Sequence, residues 1–267
     1  MIIERAMDDI ARTVGQDPLT IRKLNLYGTS THNPDRTVTP YHQQVEHNSL
    51  PEMIEQLEHS SDYWARRTEI HQWNQTSPIL KRGLALTPVK FGISFTLQHL
   101  NQAGALIHIY TDGSIQVNHG GTEMGQGLHT KVVSSEVIQV TATRTDKVPN
   151  TSPTAASSGT DLNGKAAQNA ALTLKQRLTG FLAAEKSVAE EAIRFADGRV
   201  FWGEADTDTD TDNMSFAELV QAAYVGRISL SATGYYRTPK IHYDRSSASG
   251  RPFFYFANGA AVAEVVI

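Results

Sequence analysis

The chain has 267 residues, 24 Lys and Arg against 28 Asp and Glu, a formal net charge of -4, and no cysteine. That length allows one large domain or two small ones with a sizeable core, while a sequence pI of about 6.2 leaves no general basic surface for nucleic acid. Without cysteine, disulfides, thiolate nucleophiles, Cys-ligated zinc and iron–sulfur clusters are all excluded from this polypeptide.

No stretch reaches the roughly 18–20 uninterrupted apolar residues of a membrane span, and mean hydropathy is -0.34. The first residues, MIIERA, show no basic region followed by an apolar one and a small-residue cleavage site. The expectation is a cytoplasmic protein with neither membrane nor nucleic acid as partner.

In chain order, Ile3, Met7, Ile10 and Val14 recur at helical spacing and Gly15 follows as a stop. A helix that starts at the first residue predicts that the natural beginning lies upstream. Asp17 and Pro18 open a second short helix carrying Leu19, Ile21 and Leu24, and residues 27–48 read as polar loop. Ser49 and Glu52 have the spacing of a capping box before Met53, Ile54 and Leu57. Tyr63, Trp64, Ile70 and Trp73 extend the helical region as core aromatics and aliphatics.

From Gly83 the texture turns to β. Ala105, Ile107 and Ile109 alternate with polar and bulky neighbours up to Asp112 and Gly113, and Ile115 and Val117 alternate after them, which predicts a hairpin with a two-residue turn. A glycine-rich loop at 120–127 comes next, then a short helix from Leu128 and a strand at 137–140. Residues 150–159 are small and polar and lead into a long helix marked by Leu162, Ala166, Ala170, Leu174, Leu178 and Phe181. Asp197 and Gly198 divide a second hairpin, Ser215 and Glu218 make a second capping box, and strands return at 229–236 and 253–267. The last run stops without a turn, as though the chain ended inside an element. The fold class expected is α+β, with a helical segment at 1–80 and an α+β region at 81–267, truncated at both ends.

Several chemical signals have bland readings. The alternating Asp and Thr run at 206–212 invites calcium, but an EF-hand loop begun at Asp206 needs Gly and Glu where Thr211 and Ala217 stand, so a solvated loop is preferred. Ten histidines form no HExxH pair, and His42 and His47 lie in polar loop. Neither a P-loop nor a nucleophile elbow is present. Closely spaced glycines at 120–127 let backbone N–H groups approach an anion or a planar ligand, and the Gln126 amide, donor and acceptor at once, suits a heterocycle edge.

Three segments together are more specific than any of these. Residues 90–106 read KFGISFTLQHLNQAGAL, 120–131 read GGTEMGQGLHTK, and 149–164 read PNTSPTAASSGTDLNG, with RKLNLYG at 22–28 and LSATGYYRTP at 230–239 in support. Taken together they resemble the molybdopterin-binding part of the xanthine dehydrogenases, members of the molybdenum hydroxylase family, over nearly the whole chain. Aldehyde oxidases are a weaker match at Phe95 and Thr96 and at 154–157.

The resemblance implies an oxidoreductase that hydroxylates hypoxanthine and xanthine to urate with oxygen from water, in purine catabolism, on a molybdenum-molybdopterin cofactor. Iron–sulfur clusters and FAD would lie on other domains or subunits and pass electrons to a nicotinamide. It implies that Phe95 lies against the purine ring, that Thr96 hydrogen-bonds its edge, and that Leu97 and Leu100 line the substrate channel. Met124, Gly125 and Gln126 match the cofactor-contacting MGQ stretch. Ala155, Ala156 and Ser157 match a second cofactor segment, with the Ala156 backbone near the metal and Ser157 on the cofactor phosphate. The expected partners are the purine, an iron–sulfur and FAD subunit, and the remaining parts of the molybdenum subunit.

The chain also departs from the pattern. The family's general base is a Glu in a Gly-Glu-Pro-Pro-like motif, whereas here Gly203 and Glu204 are followed by Ala205. No catalytic residue is assigned, and the isolated chain is expected to be inactive. The stretch between Val133 and Val137 reads as shorter than in the family. The alternative reading is a non-catalytic folded remnant or assembly module of a molybdenum hydroxylase.

Overall fold

The computed structural model describes residues 2–29, 33–133, 137–141, 143–144, 146–203 and 212–267. The chain forms two compact units, one made of residues 1–96 and 240–267 and the other of residues 97–239. The textural boundary at residue 80 marks where helices give way to strands, whereas the units follow where the chain returns on itself.

The first unit opens with α1 (Ile2–Val14) and α2 (Pro18–Leu24), followed after the loop by α3 (Leu50–Ser60), α4 (Tyr63–Thr76) and the long strand β1 (Arg82–Ile93). Asp17 begins α2 as anticipated: its backbone is extended and its carboxylate accepts from the Leu19 amide at 2.8 Å. The same carboxylate accepts from Arg67 Nε at 2.9 Å and from the Tyr63 hydroxyl at 3.2 Å, which ties α2 to α4. Arg22 is buried, with Nε donating to Glu4 at 2.6 Å and Nη2 to Asp8 at 2.8 Å, so α1 is held to α2 by charge. Its apolar residues are not the anchor. Ile2, Ile3, Ile10 and Val14 are all exposed, and Ala11 is the one buried residue of the helix.

The second unit begins with β2 (Gln102–Ile109) and β3 (Ile115–His119), then α5 (Leu128–Val132), β4 (Ile138–Val140) and the 28-residue α6 (Gly159–Lys186). It continues through β5 (Arg194–Ala196), β6 (Arg199–Phe201), β7 (Asn213–Ser215), α7 (Phe216–Val225) and β8 (Ser231–Arg237). The main sheet has the order β4-β3-β2-β8, antiparallel except for β3 with β4. Its buried face carries Ala103, Ala105, Ile107, Ile109 and Ala232, against Leu162, Ala166, Ala170, Leu174 and Leu178 of α6. Gly234 lets β8 lie on that helix: a Cβ there would stand 2.0 Å from the Ala166 carbonyl oxygen. Asn169 Nδ2 donates to the Tyr235 carbonyl and Arg177 to that of Ser231, fastening the same strand.

The chain then returns to the first unit in β9 (His242–Asp244), β10 (Ser249–Arg251) and β11 (Tyr255–Val266). β11 pairs with β1 over twelve residues, from Arg82 opposite Val266 to Ile93 opposite Tyr255. One face of this ribbon supplies Leu84, Leu86, Ala260 and Val262 to a core with Leu19, Leu50, Ile54, Tyr63 and Ile70. Pro88 is tolerated because, among the described residues, β1 has a strand partner on one side only.

Three local expectations are corrected. The first hairpin closes by a three-residue loop: Gly113 N–H donates to the Tyr110 carbonyl, Tyr110 N–H to that of Ser114, and Gly113 takes φ +86°. That is a type I turn followed by a left-handed residue, the next commonest hairpin closure. The Asp197–Gly198 pair does make the two-residue turn, with φ +50° and +72°. At α3, Ser49 makes no side-chain cap because its backbone is not extended (φ -93°, ψ 2°), and the Leu50 amide donates to Asn48 Oδ1 instead. Trp64, expected in the core, is 46% exposed and donates to Glu58.

Candidate cofactor cleft

The residues singled out fall in both units. Phe95 and Thr96 close the stretch 1–96, directly after Ser94, a buried residue with the strained φ of +135° whose Oγ accepts from the Phe254 amide at 3.4 Å. Leu97 and Leu100 open the second unit around a single turn of 3-10 helix, and both remain accessible. The other six all belong to the second unit.

Two segments some thirty residues apart meet in one cleft of about 520 Å³. It is lined by Met124, Gln126 and Lys131 from one segment and by Thr154, Ala155, Ala156, Ser157, Gly159 and Thr160 from the other. Gly125 lies between two lining residues without lining the cleft itself. The bond that joins the segments is Thr122 N–H to Thr154 Oγ1, at 2.8 Å. Thr151 helps from beneath, for a Cβ on Gly120 would meet its side chain at 2.5 Å.

The second segment has an unusual backbone. Ala156 and Ser157 are consecutive left-handed residues, φ +52° and +53°, each costing roughly 1–2 kcal/mol for a side chain with a Cβ. Ser158 braces the bend, donating to the Ala155 carbonyl from both its amide and its hydroxyl at 3.2 Å. The bend delivers the chain to the start of α6, where Ser158 provides no side-chain cap. Gly159 and Thr160, the first residues of that long helix, line the cleft, and the first amides of a helix have no partner within it.

The first segment is organised by hydrogen bonds that the sequence reading did not foresee. The glycine-loop amides expected to greet a ligand are taken by the loop's own Glu123. Its Oε1 accepts from Gly125 at 2.9 Å and Gly127 at 3.0 Å, and its Oε2 from His129 at 3.1 Å. The His129 amide foremost, with those of Gly127, Gly125 and Leu128, holds the Glu123 carboxyl below the usual carboxylate range. Gln126 is turned onto the loop as well, its Nε2 donating to the Thr122 carbonyl at 2.9 Å and its Oε1 accepting from the Met124 amide at 2.6 Å. One N–H and one lone pair of that amide remain for a ligand.

His119 anchors the loop from below. It is 1% exposed and its Nδ1 accepts from the Gly121 amide at 3.1 Å. That acceptor role puts the proton of the neutral ring on Nε2, which donates to His129 Nδ1 at 3.3 Å. Burial first, and then the neighbouring His129, push the His119 ring down to about 4. Beside it, Asn163 of α6 packs on Gly121, and its buried Oδ1 has no partner among the described residues.

The donor set answers whether an anionic, heterocyclic cofactor suits the cleft. Its lining holds a lysine, three hydroxyl residues and the first two residues of α6, with no carboxylate, which fits a phosphate-bearing pterin. Glu123, His119, His129, Lys131, Thr154 and Thr160 do not stand out as site residues in the sequence alone. A carboxylate embedded among four glycines was the available signal for Glu123. Among the described residues no group of three or more His, Asp or Glu is placed to hold a metal ion. Most of the Asp and Thr run, Glu204 with Ala205, and residues 134–136 of the segment read as shortened lie outside the described residues.

A family model described as the molybdopterin cofactor-binding domain matches residues 56–267. The chain is 41% identical over 276 residues to the xanthine dehydrogenase/oxidase of Felis catus and to that of Gallus gallus, covering 100% of this chain and 18% of each relative. It is 39% identical over 280 residues to the xanthine dehydrogenase of Dictyostelium discoideum, again covering 18% of that protein. The chain therefore spans less than a fifth of the length of these curated relatives. Among solved structures, Cu,Mo-CO dehydrogenase superposes with a TM-score of 0.76 at 18% identity, over 99% of this chain and 34% of that one. Quinoline 2-oxidoreductase from Pseudomonas putida 86 gives 0.73 at 21%, over 98% and 34%. The α+β expectation, the resemblance carried by the three motifs and the molybdopterin reading agree with these findings.

Proposed function

The chain belongs to the molybdopterin cofactor-binding domain family, and on that premise we propose that it is part of the molybdenum subunit of a cytoplasmic, xanthine dehydrogenase-type oxidoreductase. The observation that carries the proposal is the cleft that Met124 and Gln126 line together with Ala155, Ala156 and Ser157. When bound, the molybdenum cofactor supplies the two-electron oxidation by which a purine such as hypoxanthine or xanthine is hydroxylated with oxygen from water. This chain's residues hold and orient. Ser157, Thr160 and the opening amides of α6 receive the phosphate, Lys131 balances its charge, and the spare donor and acceptor of Gln126 meet the pterin edge. Ala156 contributes bare backbone, keeping room near the metal.

For the substrate, the proposal gives Phe95 the face of the purine ring, Thr96 its edge, and Leu97 and Leu100 the channel wall. With no cysteine in the sequence, iron–sulfur clusters and FAD are assigned to other domains or subunits. The Gly-Glu-Pro-Pro-like motif is absent from these 267 residues, and a positioned general base contributes typically 10²–10⁴-fold. The proposal therefore gives the chain a cofactor-holding role without purine turnover of its own. The chain is to be purified from a host that makes the cofactor, and its molybdenum, released pterin and urate formation measured. Stoichiometric molybdenum and pterin with negligible urate is the expected result; protein free of both would sink the cofactor reading.

A second reading, a non-catalytic assembly module, is favoured by the exposed apolar residues of the first unit: Ile2, Ile3 and Ile10 on α1, and Val89, Phe91 and Val265 on the ribbon. It predicts the metal-free outcome.

A further inference from the structure

We propose that Glu123 is the positioning residue of the cleft: its carboxylate is a built-in anion around which residues 124–129 fold, and this shape presents Met124 and Gln126 to the cleft. The proposal rests on the cofactor reading above only for what the cleft receives.

Glu123 gathers donors from 125, 127 and 129 onto two oxygens, at 2.9, 3.0 and 3.1 Å. Gly125 and Gly127 both take positive φ, +94° and +76°, and have nothing within 4 Å of a would-be Cβ. Packing therefore does not hold these two residues. The described structure offers their amides one acceptor, the Glu123 carboxylate, and a neutral group accepts such bonds more weakly than an ionised one. The Gln126 amide reinforces the same turn through Thr122 and Met124. The other lining segment needs no such help, because Ala155–Ser157 are braced by Ser158 and by the start of α6. Glu123 does not line the cleft, so it acts through its neighbours.

The test is amide hydrogen exchange across residues 124–129 in the full 267-residue chain, with pterin content measured on the same samples, for wild type, E123A and E123Q. In E123A the amides at 125, 127 and 129 are expected to exchange roughly tenfold faster and the retained pterin to fall. E123Q, equal in size but uncharged, is expected to follow E123A. Added formate, which fits the vacated acceptor position, is expected to restore protection and pterin in E123A. E123Q exchanging at the wild-type rate would reduce Glu123 to a filler of space and overturn the proposal, as would E123A that keeps its full pterin while the loop exchanges fast. If wild type retains no pterin yet the exchange rates respond as stated, the cofactor reading fails and the shaping of the loop by Glu123 stands.

Discussion

Glu123 and His119 both accept from glycine-loop amides, yet they depend on pH in different ranges. Glu123 stays ionised to acidity below the usual carboxylate range. His119 is neutral when folded, with a pKa of about 4, while an unfolded His titrates near 6.5. Between those values the unfolded chain binds a proton that the folded chain refuses. Stability from this group is thus complete above about pH 6.5 and falls as pH drops toward 4, by about 3 kcal/mol at most. Urea midpoints at intervals from pH 7.5 to 4.5 should decline in wild type and decline less in His119→Asn, whose Oδ1 stands where Nδ1 does and keeps the bond from Gly121. Equal slopes for the two proteins would refute the assignment. None of this was legible in the sequence, where His119 is one of ten histidines, since what distinguishes it is burial and the direction of one backbone N–H.

At the scale of elements, two identical-looking signals part company. Ser215 is extended (φ -68°, ψ 155°), accepts from the Glu218 amide and completes a capping box, whereas Ser49 is not and caps nothing. Ser215→Ala is expected to cost about 1 kcal/mol, and Ser49→Ala close to nothing; thermal melts of the two variants check the contrast. The capping spacing was legible in both, but the backbone of the capping residue depends on how the chain arrives there. Hairpins show the same division. Asp-Gly signals a turn twice, and the number of loop residues is set by the strands' register. Gly234→Ala is expected to lower the melting temperature by several degrees at least, because β8 rests on the α6 backbone at that point and a Cβ meets the Ala166 carbonyl at 2.0 Å. A melt unchanged by that substitution would show that strand and helix can separate freely.

For the molecule as a whole, the unexpected feature is where the apolar surface lies. The periodicity of α1 is real, but its apolar stripe is exposed and its link to α2 is ionic through Arg22. Periodicity reveals which residues share a face, and it cannot reveal whether anything covers that face. Ile3→Lys, at a residue 65% exposed, is expected to leave the stability of the 267-residue chain within about 0.5 kcal/mol of wild type; a clear loss in a chemical denaturation curve would show that this face is buried in solution. The curated relatives are more than five times as long as the stretch they share with this chain.

Sequence alone determined the family, because three separated motifs are recognisable by residue identity, and most elements, because helix and strand follow from local spacing and turn chemistry. It also named the segments 124–126 and 155–157. Tertiary structure decided that these segments share a cleft, since the Thr122 amide meets Thr154 Oγ1 across thirty-two positions only once the chain has folded back. It decided too that the loop's amides serve Glu123. A backbone N–H is the same in every residue but proline, so its partner is fixed only by the path of the folded chain.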